Sequence, residues 1–246
     1  MKAVILSAGR GSRLLPLTKS IPKCALPING RPILLRQIDT LLEAGIKEVV
    51  VVVGYGADKV AELLSKHHST SRVRTLYNPF FQVSDNLASC WLAGSEMDAD
   101  FLLINGDTVC ELEVVRSLLS SPAAPITLAI DRKPHYDSDD MRVQTDGDRL
   151  IQVGKHLVPK ETDGESIGIS LYRGSGPARF RWALERAVRR PEGLKQWYLS
   201  VVDELAGLGF VSVHSIQGLR WAEIDTPADL AVAAKIIGRR NRAASE

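Results

Sequence analysis

Apolar residues in the first half of the chain follow two alternating patterns. Short runs that are apolar at every position predict buried strands at residues 3–6, 49–53 and 101–104, with a further extended segment at residues 73–77. Apolar residues three and four positions apart predict amphipathic helices at residues 32–44, 59–68 and 85–97, with Ser84 as the N-cap of the last. Strands that are apolar on both faces are typical of a parallel sheet covered by helices, so this half predicts a doubly wound α/β layout.

The second half of the chain is less regular. It predicts strands at residues 126–131, 142–145, 150–153 and 167–173, followed by helices at residues 177–188 and 196–208. We expect antiparallel additions to the sheet there, and a mobile loop or lid at residues 134–140, where three acids fall within four positions. The pattern contains no linker or internal repeat, so we expect one domain over residues 1–238 and a solvated C-terminal tail over residues 239–246.

Composition and charge exclude several classes of protein. The 246 residues carry a net charge of +2, which gives no reason to expect nucleic-acid binding, and the longest wholly apolar run is residues 49–53. A membrane helix needs roughly 20 such residues. The three cysteines have no paired spacing, the histidines form no zinc motif, and the N-terminus lacks the apolar stretch of a signal peptide. We therefore expect a cytoplasmic protein without a membrane span, and leave a homo-oligomer open.

The strongest chemical signal directly follows the first strand. Gly9 and Gly11 let backbone amides approach an anion closely, and Arg13 and Lys23 bring two positive charges to the same loop. The segment is not a Walker A loop, because the spacing to Gly-Lys-Ser/Thr fails, and Leu14 stands where a Rossmann fingerprint has its third glycine. The residues favour a polyphosphate cradle, against the alternative of a tight strand-to-helix turn with surface cations.

Residues 6–32, with the sequence LSAGRGSRLLPLTKSIPKCALPINGRP, closely resemble the signature of the sugar-phosphate nucleotidyltransferases. The resemblance implies a single-domain, Rossmann-like doubly wound mixed sheet of the nucleotide-diphospho-sugar transferase type. It also implies an enzyme that joins a nucleoside triphosphate to a phosphorylated acceptor and releases pyrophosphate. By the same resemblance, the residues that hold the triphosphate are Gly9, Gly11, Ser12, Arg13 and Lys23.

Two acidic segments extend this resemblance. Residues 105–107, Asn-Gly-Asp, resemble the family's Gly-Asp metal site, which places Gly106 beside the nucleotide, and residues 223–225, Glu-Ile-Asp, resemble its second acidic motif. An aspartate that leaves a parallel strand at its carboxyl end points into the ligand crevice, and two such carboxylates suit Mg²⁺. We therefore expect Asp107 and Asp225 to bind Mg²⁺. The alternative is that each one caps a nearby helix.

A narrower resemblance points to the phosphocholine cytidylyltransferase branch, which neighbours the inositol-1-phosphate and 2-aminoethylphosphonate cytidylyltransferases. The residues that carry it lie at positions 84–89, 154–155, 163–168, 197–198 and 221–225. The branch implies CTP as the nucleotide, Lys155 as the residue that orients the reacting phosphates, and a pyrimidine site formed by Leu6, Ala8, Asn86 and Ser89. From the residues alone, Asn86 could equally cap a helix, and Lys155 could be a surface lysine.

The acceptor is the part of the function that the sequence constrains least. Phosphocholine is the first choice, because aromatic faces and carboxylates suit a quaternary ammonium group. The aromatic side chains that the resemblance places near the acceptor are Tyr136, Trp197, Tyr198 and Trp221. The carboxylates assigned with them are Asp140 and Glu165, and Asp139 could add further negative charge. Both tryptophans could equally be packing anchors. Inositol 1-phosphate, 2-aminoethylphosphonate and a sugar 1-phosphate stay as alternative acceptors.

Two further classes of protein compete with this interpretation. One is a catalytically silent regulatory subunit of the same fold, which the joint presence of Arg13, Lys23, Asp107 and Asp225 disfavours. The other is a Rossmann dehydrogenase, which Leu14 at the third glycine position disfavours. We also expect no acyltransferase activity, since the sequence contains no hexapeptide-repeat region.

Overall fold

The apolar runs of the first half form one half of a nine-stranded mixed sheet in the computed structural model, which describes residues 1–237. The strands are β1 (Lys2–Ser7), β2 (Pro27–Ile28), β3 (Arg31–Pro32), β4 (Glu48–Val53), β5 (Val73–Tyr77), β6 (Phe101–Asn105), β7 (Thr108–Cys110), β8 (Ile126–Asp131), β9 (Arg142–Asp146), β10 (Arg149–Val153), β11 (Gly164–Tyr172), β12 (Val211–Ser215) and β13 (Trp221–Glu223). The helices are α1 (Ile33–Glu43), α2 (Ala57–Ser65), α3 (Asn86–Leu92), α4 (Leu112–Leu119), α5 (Gly176–Val188), α6 (Leu199–Gly207) and α7 (Pro227–Ile237). The predicted tail over residues 239–246 lies outside the described residues.

The main sheet combines a parallel half with a mixed half, in which β12 runs parallel to β8 and the other neighbours are antiparallel. Its strands lie in the order β5-β4-β1-β6-β11-β8-β12-β10-β9. The neighbours β5, β4, β1 and β6 are parallel, as their apolar runs predict. Strand β11 runs antiparallel to both β6 and β8, and the β9–β10 pair adds an antiparallel edge. The prediction of a doubly wound mixed α/β sheet with antiparallel additions is confirmed.

Helices cover both faces of this sheet. On one face, α3, α5 and α6 pack on a core in which the rings of Phe101 and Tyr172 stack at a centroid distance of 4.4 Å, with Phe180 lying 4.5 Å from Tyr172. On the other face, α1, α2 and α4 bury aliphatic side chains against β1, β4 and β6. Among residues 1–237, no helix is both long enough and apolar enough to cross a membrane.

Several local predictions were wrong, each where a short-range signal is weak. Periodicity missed β12 and also the three-residue strands β7 and β13, which are too short to show a period. The predicted helix over residues 85–97 becomes a 3₁₀ turn from Ala93, and the one over residues 196–208 begins only at Leu199. Ser84 is not the N-cap of α3, because Asp85 occupies that position and the Ser84 hydroxyl donates to the Phe80 carbonyl at 2.8 Å.

The topology brings three distant segments to one edge of the sheet. Strands β1 and β6 are parallel neighbours, so the loop after β1 and the residues after β6 leave the sheet at the same edge. Strand β13 pairs with β7, with Glu223 opposite Thr108. The Ile224 amide donates to the Asp107 carbonyl at 3.1 Å, and this bond fixes Asp225 beside Asp107.

Two glycines provide a test of the packing around α5 and α6. A Cβ atom at Gly176 would lie 1.8 Å from the Pro125 carbonyl oxygen, whereas a Cβ at Gly207 would have no heavy atom within 4 Å. We expect Gly176→Ala to lower the free energy of unfolding by at least ~2 kcal/mol through overpacking. Gly207→Ala is the matched control and should be neutral or stabilising by up to ~1 kcal/mol. Urea denaturation measures both, and equal effects would contradict this account.

Candidate active site

A cavity of about 330 Å³ opens at the edge where β1 and β6 end. It gathers all the residues that the sequence assigned to nucleotide and metal, together with Trp197 from the acceptor group. The nucleotide and metal residues that line it are Leu6, Ala8, Gly9, Gly11, Ser12, Arg13, Lys23, Asn86, Ser89, Gly106, Asp107 and Asp225. Ligands of open α/β sheets bind at the carboxyl ends of the parallel strands, so the cavity lies where the fold predicts a site.

The glycine-containing loop after β1 is an extended loop with two short 3₁₀ turns, at Ser12–Leu14 and Lys23–Ala25. Gly11 has a φ of +69°, and a Cβ there would lie 2.8 Å from the Cβ of Lys23. Only glycine fits this backbone without strain. The alternative of a direct strand-to-helix turn is therefore wrong, since α1 begins only at Ile33.

Lys23 lies between the two aspartates that the sequence assigned to metal. Its Nζ atom is 2.9 Å from Asp107 Oδ2 and 2.7 Å from Asp225 Oδ1. Burial lowers the pKa of Lys23, but the two carboxylates outweigh it and hold the pKa above its ordinary value. Both carboxylates can therefore reach one and the same cation.

The two aspartates also fit a divalent cation. Asp107 Oδ1 is buried and accepts no hydrogen bond from any residue between 1 and 237, so it has a lone pair available for a ligand. Across the same residues, no group of three or more His, Cys, Asp or Glu side chains is placed to bind a metal. Two carboxylates suffice for Mg²⁺, which usually fills its octahedron with water and phosphate oxygens.

The alternative role of these aspartates as helix caps is not what the structure shows. The side chain that accepts from the backbone at the start of α7 is Asp229, whose Oδ2 lies 2.9 Å from the Asp225 amide and 2.7 Å from the Thr226 amide. Glu111 occupies the N-cap position of α4. The carboxylates of Asp107 and Asp225 face the cavity instead.

A chain of ion pairs crosses the mouth of the cavity. Arg13 Nη2 lies 2.9 Å from Asp225 Oδ2, and its Nη1 lies 2.8 Å from Asp139 Oδ2. Asp139, from the predicted lid loop, also pairs with Lys155, whose ammonium lies 4.8 Å from the centre of the Trp197 ring. Hydrogen bonds from Lys155 and Arg13 lower the pKa of Asp139. Two of the three cations assigned to the phosphates, Arg13 and Lys155, therefore share the carboxylate of Asp139.

The residues assigned to the pyrimidine are also brought together. Asn86 Oδ1 accepts from the Tyr198 amide at 2.8 Å, so this side chain ties α3 to the segment before α6 and does not cap its own helix. Ser89 accepts from the Asn78 side chain at 3.0 Å. Leu6 and Ala8 complete the group with apolar surface.

Three of the six predicted acceptor residues surround an internal cation. Lys133 Nζ lies 2.8 Å from Glu165 Oε2, 2.9 Å from Asp140 Oδ2 and 5.9 Å from the centre of the Tyr136 ring. A lysine of this chain therefore already fills the arrangement of carboxylates and an aromatic ring that was expected to take a substrate ammonium. Trp197, 43% exposed, presents its ring to the main cavity.

Tyr198 and Trp221 lie in the packing of the protein. Tyr198 is fully buried and meets Phe180 edge to face at a centroid distance of 6.4 Å. Trp221 packs against the core under α1 and α4, and its indole N–H donates to Asp131 at 2.9 Å. Their placement is that of packing anchors: the Trp221 indole N–H has a partner, and the Tyr198 hydroxyl is buried without a hydrogen bond to any residue between 1 and 237, so neither side chain faces a ligand.

Sequence reasoning missed two residues that the structure places around the site. Asn78 lines the cavity directly after β5, and Lys133 forms the ion pairs described above. Asn78 was open to prediction, because a polar residue after a parallel strand lies at the ligand edge just as Asp107 does. Lys133 stands just before the acidic loop, but no local pattern assigns its side chain to Glu165 on β11. Asp139, which was expected near the acceptor, pairs with Arg13 and Lys155.

Comparisons with known proteins give the chain a family and relatives. The family described as the MobA-like NTP transferase domain matches residues 3–191. The chain is 32% identical over 236 residues to a CMP-5'-(3-aminopropyl)phosphonate synthase of Streptomyces rubellomurinus, covering 93% of this chain and 37% of that protein. It is 29% identical over 238 residues to a bifunctional IPC transferase and DIPP synthase of Aquifex aeolicus, covering 96% of this chain and 51% of that protein. The chain thus spans about a third to a half of these curated relatives.

A solved structure shows the same fold. The inositol-1-phosphate CTP transferase of T. maritima matches with a TM-score of 0.81 at 19% identity, covering 96% of this chain and 94% of that chain. A likeness at this level of identity shows the fold alone. It confirms the predicted fold type.

Glu165 should make the stability of the protein depend on pH. Burial raises the pKa of Glu165 to about 7, with the hydrogen bond from Lys133 opposing the rise. Because this folded-state pKa exceeds that of the unfolded chain, the folded state loses stability as pH rises between about 4.5 and 7. Glu165→Gln should therefore shrink the fall in unfolding free energy between about pH 5 and pH 8. Urea denaturation at both pH values measures it.

Lys133→Met is the complementary variant for this measurement. It removes the cation that lowers the pKa of Glu165, so it should steepen the same fall. Superimposable pH profiles for the wild type and both variants would contradict the assignment.

Proposed function

The chain belongs to the family of MobA-like NTP transferase domains, and on this premise we propose that it is a cytidylyltransferase that joins CTP to a small phosphate or phosphonate bearing a cationic nitrogen. Phosphocholine is the first candidate acceptor. The observation that carries the proposal is one cavity in which Arg13 and Lys23 lie beside Asp107 and Asp225. Cations, a glycine-containing loop and a carboxylate pair together suit a triphosphate with its divalent metal.

The reaction needs alignment and neutralisation of charge. An oxygen of the acceptor attacks the α-phosphorus of CTP, a new P–O bond forms, and the bond to the β-phosphate oxygen breaks as pyrophosphate leaves. A phosphate monoester has a second pKa near 6, so at pH 7 it is mostly a dianion and needs no general base. Arg13, Lys23 and Lys155 offset the charge of the two anions and hold them in line.

Asp107 and Asp225 are the residues that would bind Mg²⁺, which when bound neutralises phosphate charge. The orphaned Oδ1 of Asp107 supports this role. Lys23 bridges the same two carboxylates and holds them close together.

The preference for CTP rests on the polar groups beside α3. Asn86 uses its Oδ1 for the Tyr198 amide, which leaves its two amide N–H groups directed elsewhere, and the cavity beside it is lined by Asn78 and Ser89. Amide and hydroxyl groups supply the donors and acceptors that a pyrimidine edge requires.

The preference for a cationic acceptor rests on Trp197. The position of the Lys155 ammonium over this ring, with Asp139 as counter-charge, supports an affinity of this exposed aromatic face for cations. The S. rubellomurinus relative, whose name includes an aminopropylphosphonate, supports an acceptor of this charge type. Inositol 1-phosphate, 2-aminoethylphosphonate and sugar 1-phosphates are the competing acceptors.

The metal assignment gives the first functional prediction. Asp107→Asn and Asp225→Asn should each remove most of the pyrophosphate release from CTP, because an amide cannot replace the charge that binds a divalent cation. Asp146→Asn, which removes an exposed charge on β9, is the matched control and should keep the wild-type rate. Circular dichroism checks that all three variants fold. A near-wild-type rate at position 107 or 225 would remove that residue from the metal site.

Competition between acceptors tests the substrate. With each of the four nucleoside triphosphates in turn, pyrophosphate release should be fastest with CTP, and phosphocholine should exceed inositol 1-phosphate and glucose 1-phosphate in kcat/KM. Trp197→Ala should lower the preference for phosphocholine by roughly 2- to 30-fold, since a cation–π contact contributes about 0.5 to 2 kcal/mol.

Trp182 provides the control for that variant, because it is also exposed and also has a cation over its ring, the guanidinium of Arg186 at 4.5 Å. Trp182→Ala should leave the preference unchanged. A higher kcat/KM for inositol 1-phosphate or a sugar phosphate would overturn the choice of acceptor. An absence of turnover with all four triphosphates would favour the silent regulatory subunit.

A further inference from the structure

Gln37 is a buried polar residue on the apolar face of α1. Its exposed fraction is 3%, and the neighbouring buried positions of the helix are Ile33, Leu34, Leu35, Ile38 and Leu41. The helical pattern calls for an apolar side chain at such a position. A buried amide is unfavourable unless it is hydrogen-bonded, so the contacts of Gln37 need an explanation.

The amide nitrogen of Gln37 holds the backbone on both sides of Asp107. Nε2 donates to the Asn105 carbonyl at 2.8 Å and to the Thr108 carbonyl at 2.7 Å. Two carbonyl acceptors fix the orientation of the amide, because only its nitrogen can donate to them. Its Oε1 atom is then left buried without a partner among residues 1–237, which is a cost to stability.

Other bonds fasten the same short segment from the remaining sides. The Gly106 amide donates to the Leu6 carbonyl at 2.9 Å, and the Asp107 carbonyl accepts from the Ile224 amide at 3.1 Å. A Cβ at Gly106 would lie 2.4 Å from the Leu6 carbonyl oxygen, so β1 and this segment are in close contact. Gln37 is the side chain of α1 that holds this segment, through its bonds to the Asn105 and Thr108 carbonyls.

We infer that Gln37 is a positioning residue that orients the backbone carrying Asp107 and thereby sets the affinity of the site for its divalent cation. The inference rests on the proposed function, in which Asp107 binds that cation. A purely structural Gln37 would instead contribute to stability, and the buried, unpartnered Oε1 argues against a large contribution of that kind. Groups that orient metal-binding side chains typically change metal affinity by 10- to 100-fold when they are removed.

The test separates metal affinity from stability. Gln37→Met keeps the length of the side chain and removes the amide, and Gln37→Leu is a second variant with a different shape. Thr40→Val, one turn along α1, is the matched control. Binding of Mn²⁺ to each protein in the presence of CTP, without acceptor, is measured by isothermal titration calorimetry, and the midpoint of urea unfolding is measured in parallel.

We expect both Gln37 variants to bind Mn²⁺ at least 10-fold more weakly than the wild type, with unfolding midpoints that are unchanged or higher. The Thr40 variant should bind Mn²⁺ as the wild type does. Wild-type affinity in the Gln37 variants would overturn the inference, and so would a failure of both to fold, since the two bonds would then serve stability.

Asp107→Asn tells this failure apart from a failure of the proposed function. If that variant loses Mn²⁺ while the Gln37 variants keep it, the metal site stands and the role of Gln37 is refuted. If Asp107→Asn binds Mn²⁺ normally, the metal site itself is wrong, and the role inferred for Gln37 falls with it.

Discussion

The structure of the site depends on the need of two carboxylates for a shared cation. Asp107 and Asp225 belong to segments that are far apart in the sequence, and both lie within hydrogen-bond distance of the ammonium of Lys23, from a third segment. Without a cation, two partly buried carboxylates at this separation would repel each other. The pairing of β7 with β13, the loop after β1 and the end of β6 therefore meet at a point where the charges balance. An apolar cluster that includes Leu14, Val109 and Ile224 lies beneath these segments, so charge balance and apolar packing together hold them at the edge of the sheet.

The sequence predicts the parallel half of the fold well, because strands that are buried on both faces leave a continuous apolar run. It predicts β7 and β13 poorly, although these strands place Asp107 beside Asp225. A strand of three residues is too short to show an alternation of polar and apolar positions. The pairing of β7 with β13 also joins positions about a hundred residues apart. The glycine loop could be predicted from the sequence for the opposite reason, since the residues that give it its chemistry lie within one short segment. The orientation of the Asp107 backbone depends on Gln37, the single amide on the otherwise apolar face of α1. An analysis of hydrophobic periodicity gives such a residue no role.

The acceptor residues show where inference from residue type fails. Tyr136, Asp140 and Glu165 do come together, but they surround Lys133, so a charge of the chain itself occupies the environment that a substrate cation would need. Aromatic rings and carboxylates satisfy an internal lysine as well as they satisfy a ligand. Residue type alone does not distinguish the two, because the distinction depends on whether the Lys133 side chain turns into the cluster. Trp197 differs from Tyr198 and Trp221 in the same way, since only the three-dimensional packing exposes its ring.

The ion pairs at the mouth of the cavity supply its cations with counterions from the chain itself. Arg13 and Lys155 are held by Asp139, so a polyanion that enters does not meet bare cations but takes the place of a carboxylate. Dissolved salt weakens the internal pair and the incoming contact alike, because it screens exposed charges of both kinds. The replacement of the Asp139 carboxylate by a phosphate at Arg13 and Lys155 therefore depends less on ionic strength than the binding of a phosphate to unpaired cations would. Nucleotide affinity in such a cleft is governed by how well the phosphates fit the spacing of the cations, and the surrounding electrolyte has less influence on it.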